Sequence, residues 1–272
     1  PVRVFKKIIL NLIKAKLLLI RNEPPFNQQY INTTFILEHI SKKIKIINDP
    51  KALREVPEKL FSLHLNKFMP STLISEDLRE IVAYIITKYS HYSEIVIKGF
   101  SLGANMLLKY LGEPIRIPKE IKAAIAVSVP CQLEGSLRQM SRVENYLYSR
   151  MFVKYLQKKL ETKHASFPSL LKLEEIKRAN SLLKIDHLYS SKAHGYKDAF
   201  DYYKKCSSRQ FLPYIKIPTL ILNAKNDSFL SKDCFPTEEA EQNKNLYLEI
   251  PKYGGHVGFF GENNVYYSEQ RA

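Results

Sequence analysis

The sequence predicts an α/β fold, a mostly parallel sheet flanked by helices with a helical insert over one end of the strands. Three observations predict it. Short apolar runs recur at Ile95–Ile97, Ile121–Val129, Thr219–Asn223 and Leu246–Ile250, the pattern of strands buried inside a parallel sheet. Helical patterns separate them, which argues for crossover connections. The 272 residues are 45% apolar, enough for a sizeable core in one large domain or two small ones.

Taken in order, residues 1–20 read as a helix. Thr33–Ile40 and Lys42–Ile47 read as strands, the second alternating Lys and Ile. Pro50–Pro70 has no clear pattern. Ser75–Tyr89 is a helix: Leu78, Ile81, Val82, Ile85 and Ile86 share one face, and Glu76 and Asp77 stand in the first turn, where the helix dipole favours negative charge. Leu133–Phe211, rich in Lys and Tyr, reads as a helical cap over the strand ends. The chain therefore divides into an atypical N-terminal segment (1–74), a core assembled from 75–132 and 212–272, and a cap insert (133–211).

The N-terminal segment is atypical because all nine glycines lie at or after Gly99. At the usual frequency of about 7%, the first 98 residues would hold about seven. Without glycine a chain cannot easily make the tight turns and close backbone approaches that glycine permits. The two halves differ in character.

The 42 Lys and Arg against 27 Asp and Glu give a net charge of +15, which favours anionic partners such as membrane surfaces. A lysine-rich, solvent-facing surface has the same composition and is the simpler reading. No RNA- or DNA-binding module accompanies the charge, so nucleic acid is not an expected partner. Cys131, Cys206 and Cys234 form no C-x-x-C pair, so neither a disulfide framework nor a zinc site is expected, and the compartment predicted is reducing and cytoplasmic. The N-terminal apolar run is interrupted by Lys14 and Lys16, lacks a small-residue cleavage site and is too short to span a bilayer. It has the pattern of a basic amphipathic helix at a membrane surface, although an ordinary packed helix accounts for it more simply.

The stretch that organises the chemistry is Ser93–Leu111, SEIVIKGFSLGANMLLKYL. An apolar strand enters the turn Gly99-Phe100-Ser101-Leu102-Gly103, and a helix bearing Met106, Leu107, Leu108 and Leu111 leaves it. Strand, G-x-S-x-G and helix in that order make Ser101 a candidate nucleophile. Side chains at both flanking glycine positions are expected to collide with the backbone of so sharp a turn. The Leu102 amide opens a helix whose N-terminus favours negative charge, so it is the candidate oxyanion donor. Phe100, beside the serine, is a candidate substrate contact.

A serine hydroxyl needs a base, and the base needs an orienting carboxylate. Asp227 follows the strand TLILN in the loop AKNDSF, and His256 follows LYLEI in the run YGGHVG. Either alone reads equally well as a turn-forming Asn-Asp pair or a surface loop histidine. Together they give the order Ser, Asp, His, each just past the C-terminal end of a strand. His194, in the cap run His194-Gly195-Tyr196, is a weaker candidate for substrate contact.

With those residues in place, the run from Ser93 to Gly261 resembles the YheT-like (EMB8-type) α/β hydrolases, relatives of the mammalian ABHD1/ABHD3 group. The pieces that carry the resemblance are GFSLGANMLLKYLGE, IDHLYSSKAHGYKDAFDYYKKCS, IPTLILNAKNDSF and GGHVGF. The resemblance begins near residue 75. It implies an α/β-hydrolase fold with a cap, a triad at Ser101, Asp227 and His256, hydrolysis of carboxylic esters including acyl or lipid esters, and no metal or organic cofactor. A catalytically weak or inactive relative that binds a hydrophobic ligand or an anionic membrane surface is the alternative. Such hydrolases usually carry an early His-Gly loop that supplies a second oxyanion amide, and residues 1–98 contain no His-Gly and no glycine. A divergent, truncated or frame-disrupted N-terminal segment would each produce this departure. The expectation is an incomplete sheet on the N-terminal side, no oxyanion amide from residues 1–98 and weak esterase activity. The cap is expected to pack its apolar residues over the site and turn its lysines to solvent.

Overall fold

The computed structural model describes residues 17–19, 28–47, 49–51, 73, 75, 77–260 and 265–271. It divides into two units, Pro1–Ile74 and Ser75–Ala272.

In the first unit, strands β1 (Leu17–Leu19) and β2 (Lys45–Ile47) pair in parallel, with helix α1 (Gln28–Ile40) between them in the chain. Two expectations change here. Leu17–Leu19 is strand rather than helix, and residues 1–16 and 20 of that expected helix lie outside the described residues. Thr33–Ile40, expected as strand, is helical. Its β-branched residues suggested a strand, but Thr34 and Leu37 are buried three residues apart while Phe35 and Ile36 are exposed, and that burial pattern fits only a helix.

The second unit is built on a four-stranded parallel sheet in the order β3 (Ile95–Phe100), β4 (Ile121–Val127), β5 (Thr219–Leu222), β6 (Leu246–Glu249). Helix α2 (Leu78–Lys88) precedes β3. Asp77 caps α2 rather than lying within its first turn: its side chain accepts the Arg79 amide, and that bond holds the Asp77 carboxyl below the ordinary carboxylate range.

Residues along β4 point alternately to two apolar clusters. Ala124 and Ala126 join Leu107, Leu108 and Leu111 of helix α3 (Leu102–Gly112). Ile125 and Val127 join Leu222, Ala224 and Phe259 on the other face. Small residues on one side let α3 lie close to the sheet, and the double burial explains the continuous apolar sequence.

Between β4 and β5 the chain forms helices, beginning with α4 (Leu133–Met140) and the long α5 (Tyr146–Ser166). Six shorter helical segments follow before β5. One face of α5 packs Val153 and Leu160 against Leu171, Ile176 and Ile185. The expectation that this insert buries its apolar residues holds only in part, because Leu147 and Met151 of α5 are exposed. No described helix is long and apolar enough to cross a membrane.

Candidate active site

The turn between β3 and α3 sets the site. Ser101 stands at the N-cap position of α3 with φ 50° and ψ −123°, a conformation L-residues rarely adopt. Its amide donates to the Val127 carbonyl at 2.9 Å, which fixes the turn to the end of β4. Its hydroxyl is not spent on capping the helix. The Leu102 amide lies in the first turn of α3, where backbone N–H groups have no helical acceptor.

The two elbow glycines differ in role. A Cβ on Gly99 would lie 2.8 Å from the Ala104 Cα and 2.9 Å from the Ala104 nitrogen and the Gly103 carbonyl oxygen, so glycine is required there. A Cβ on Gly103 would meet nothing within 4 Å. The expected collision at Gly103 is therefore absent, because that position already belongs to the outer surface of the helix.

The strands bring Ser101, His256 and Asp227 together. His256 Nε2 lies 2.9 Å from Ser101 Oγ, and His256 Nδ1 lies 2.8 Å from Asp227 Oδ2. The Asp227 carboxylate is buried, and its other oxygen accepts the Phe229 amide at 3.0 Å. An acceptor-only carboxylate on Nδ1 assigns the proton to that nitrogen and leaves Nε2 free to accept the serine proton. The Phe229 ring lies over the imidazole with centroids 4.6 Å apart.

Four further residues position this constellation. Asn226 Oδ1 accepts the Gly255 amide at 2.9 Å, and Ser128 Oγ accepts the Val257 amide at 2.9 Å. Asn145 Nδ2 donates to the Ser228 carbonyl at 2.7 Å, and Ser228 Oγ donates back to Asn145 Oδ1 at 2.8 Å, tying the start of α5 to the residue after Asp227. Asn226 and Ser228 flank Asp227 in sequence and could have been suspected. Ser128 and Asn145 carry no sequence signal.

A groove of about 490 Å³ runs from Leu102 along α3 and is bordered by Met106, Lys109, His194, Tyr196 and Tyr202. His194 thus lines the same groove as Leu102. Phe100 is not part of this wall. It ends β3 with an exposed ring 5.3 Å from the Lys98 ammonium. Burial pushes the Tyr202 phenol up to about 12, and a hydrogen bond from Cys206 Sγ at 3.0 Å raises Tyr196, so both are neutral hydroxyls near pH 7. No group of three or more potential metal ligands occurs among the described residues.

Comparison with known proteins identifies the family. Residues 51–262 match the family model described as alpha/beta hydrolase fold. Residues 2–54 match a different one, Prokaryotic glutathione synthetase, N-terminal domain. The chain is 33% identical over 190 residues to the putative esterase YheT of Escherichia coli, covering 69% of this chain and 55% of that protein. It is 30% identical over 186 residues to the phospholipase ABHD3 of Mus musculus, covering 68% and 45%. It is 30% identical over 206 residues to the monoacylglycerol lipase ABHD2 of Homo sapiens, covering 70% and 47%. The chain spans about half the length of the curated relatives it matches. The matched family model, the parallel sheet and the serine turn together place the chain in the alpha/beta hydrolase fold family, on its YheT-like side.

Proposed function

We propose that this chain is a serine hydrolase of carboxylic esters, with acyl or lipid esters as the substrate class. The observation that carries the reading is the unbroken relay from Ser101 Oγ through His256 to the buried Asp227. Ser101 attacks the ester carbonyl while His256 Nε2 takes its proton. The Leu102 amide stabilises the oxyanion of the tetrahedral intermediate. Collapse of the intermediate expels the alcohol, which receives the proton from His256, and leaves an acyl-serine. Water activated by the same imidazole then releases the acid. Asp227 holds the imidazole in the tautomer this requires.

The names of the relatives support the ester class: a putative esterase, a phospholipase and a monoacylglycerol lipase. The groove beside Leu102 is lined by Met106 and two neutral tyrosines alongside the charged Asp77, Arg79, Lys109 and Glu113, so it offers an ester both apolar and polar contacts. An oxyanion hole lacking one of its two donors costs about 10²–10³ in rate. The glycine-free N-terminal segment supplies no His-Gly loop, so turnover is expected to fall short of ordinary esterases by that order. The experiment is hydrolysis of a short activated ester by the full chain and by Ser101→Ala. Loss of turnover in the variant supports the reading, and wild-type turnover in the variant removes it.

A further inference from the structure

Helix α5 is apolar on two faces, and packing explains only one. Val153 and Leu160 point into the cap cluster. On the opposite side Leu147, Met151 and Tyr155 recur every four residues, with Tyr148 and Phe152 beside the first two. All five are exposed, Leu147 at 78% and Met151 at 59%, and Val143 just ahead of the helix reaches 84%. Large apolar side chains gathered on one bare helical face mark an interaction surface.

We propose that this face docks on an anionic phospholipid surface, with α5 lying in the plane of the interface. Charge supports that partner. Arg150 and Lys154 stand along one flank, and Lys159 on the other, its ammonium 4.7 Å over the Tyr155 ring, in a chain of net charge +15. Long basic side chains beside an apolar stripe reach phosphate headgroups while their stems stay on apolar surface. The tyrosines among the apolar residues have the amphipathic rings that settle at headgroup level.

Position supports it too. The Tyr148 ring packs edge-on against Phe229 with centroids 5.3 Å apart, and Phe229 lies over His256. Asn145, at the start of α5, is doubly hydrogen-bonded to Ser228 beside Asp227. The bare face is thus mounted on the loop that carries the acid of the triad. A lipid ester at the interface would meet the serine from that side. The substrate part of this inference rests on the proposed ester hydrolysis, whereas the docking itself does not.

The test is co-sedimentation of the full chain with vesicles of phosphatidylcholine alone and of phosphatidylcholine mixed with phosphatidylserine, at low and high salt. The expected result is binding to the mixed vesicles that weakens but persists as salt rises. Leu147→Glu/Met151→Glu is expected to lower that binding roughly tenfold or more while circular dichroism and fluorophosphonate labelling stay unchanged. Val143→Glu, outside the helix, is a second variant expected to weaken binding in the same direction. Ser101→Ala is expected to bind vesicles as the parent does, so failed docking and a failed triad are read separately. No vesicle binding, equal binding to both vesicle types, or binding that survives the Leu147/Met151 substitutions would overturn the proposal. Lipid-free self-association abolished by the same substitutions would also overturn it, assigning the face to a second copy of the chain.

Discussion

Ser128 Oγ accepts the amide of Val257 at 2.9 Å across 129 residues of sequence. Ser128 is fully buried at the end of β4 with φ 51°, and Val257 has φ 59°. A β-branched residue at positive φ persists only when its surroundings hold it. On the other side of His256, Asn226 holds the Gly255 amide. The two amides flanking the imidazole are therefore clamped from two different strand ends.

Removing either clamp should loosen the imidazole without unfolding the sheet. Ser128→Ala and Asn226→Leu are each expected to lower kcat by up to about 10², the cost of a misplaced catalytic group, with little change in KM. Asn226→Asp keeps an acceptor oxygen and should recover most of the loss. A rate unchanged in both loss variants would show that the clamps do not position His256.

The two elbow glycines should respond in opposite ways. Gly99→Ala forces a Cβ to within 2.8 Å of backbone, and overpacking of that kind costs about 1–3 kcal/mol. Gly103→Ala enters open space on a helix, where alanine is favoured over glycine by up to about 1 kcal/mol. Thermal melting measures both. Equal destabilisation would contradict the described turn.

Asp227→Asn should fold normally, since the change is nearly isosteric. With the carboxylate gone, the imidazole loses its orienting acceptor at Nδ1, and kcat should fall by roughly three to four orders of magnitude. Steady-state kinetics on a soluble ester, paired with the melting curve, separates this from misfolding.

Acid should release the helix α6 (Tyr267–Gln270) before it reaches the sheet. The Glu249 carboxylate accepts from Arg271 Nε at 2.9 Å and from the Tyr267 hydroxyl at 2.9 Å. The Arg271 hydrogen bond, followed by that of Tyr267, holds the Glu249 carboxyl below its ordinary range. A carboxyl lowered on folding stabilises above its unfolded value, and that contribution is lost as pH falls through the lowered one. Hydrogen exchange over Tyr267–Gln270, corrected for intrinsic rates, should quicken in acid. Glu249→Gln should already exchange fast at neutral pH.

The parallel core was legible because β4 and β5 are buried on both faces and read as continuous apolar runs. The turn at Ser101 was legible because Gly99 is sterically compelled, and the placement of Asp227 and His256 beside it because each follows a strand. The first unit was not. Its β-branched run at Thr33–Ile40 mimics a strand, and residues 2–54 match a family other than the hydrolases, whose own match begins only at residue 51. The Ser128 clamp escaped because a serine at a strand end looks like any other until the chain returns to it 129 residues later. The periodicity of α5 shows two apolar faces but not which one the fold leaves bare.

Labelling of the full chain with a fluorophosphonate, located by peptide mass spectrometry, tests the central assignment most directly. A single adduct on Ser101 is predicted. It should be absent in Ser101→Ala and slowed by at least about 10³ in His256→Ala, since the serine then has no base. No adduct on the intact chain, an adduct on another serine, or labelling of Ser101 indifferent to His256 would contradict the account.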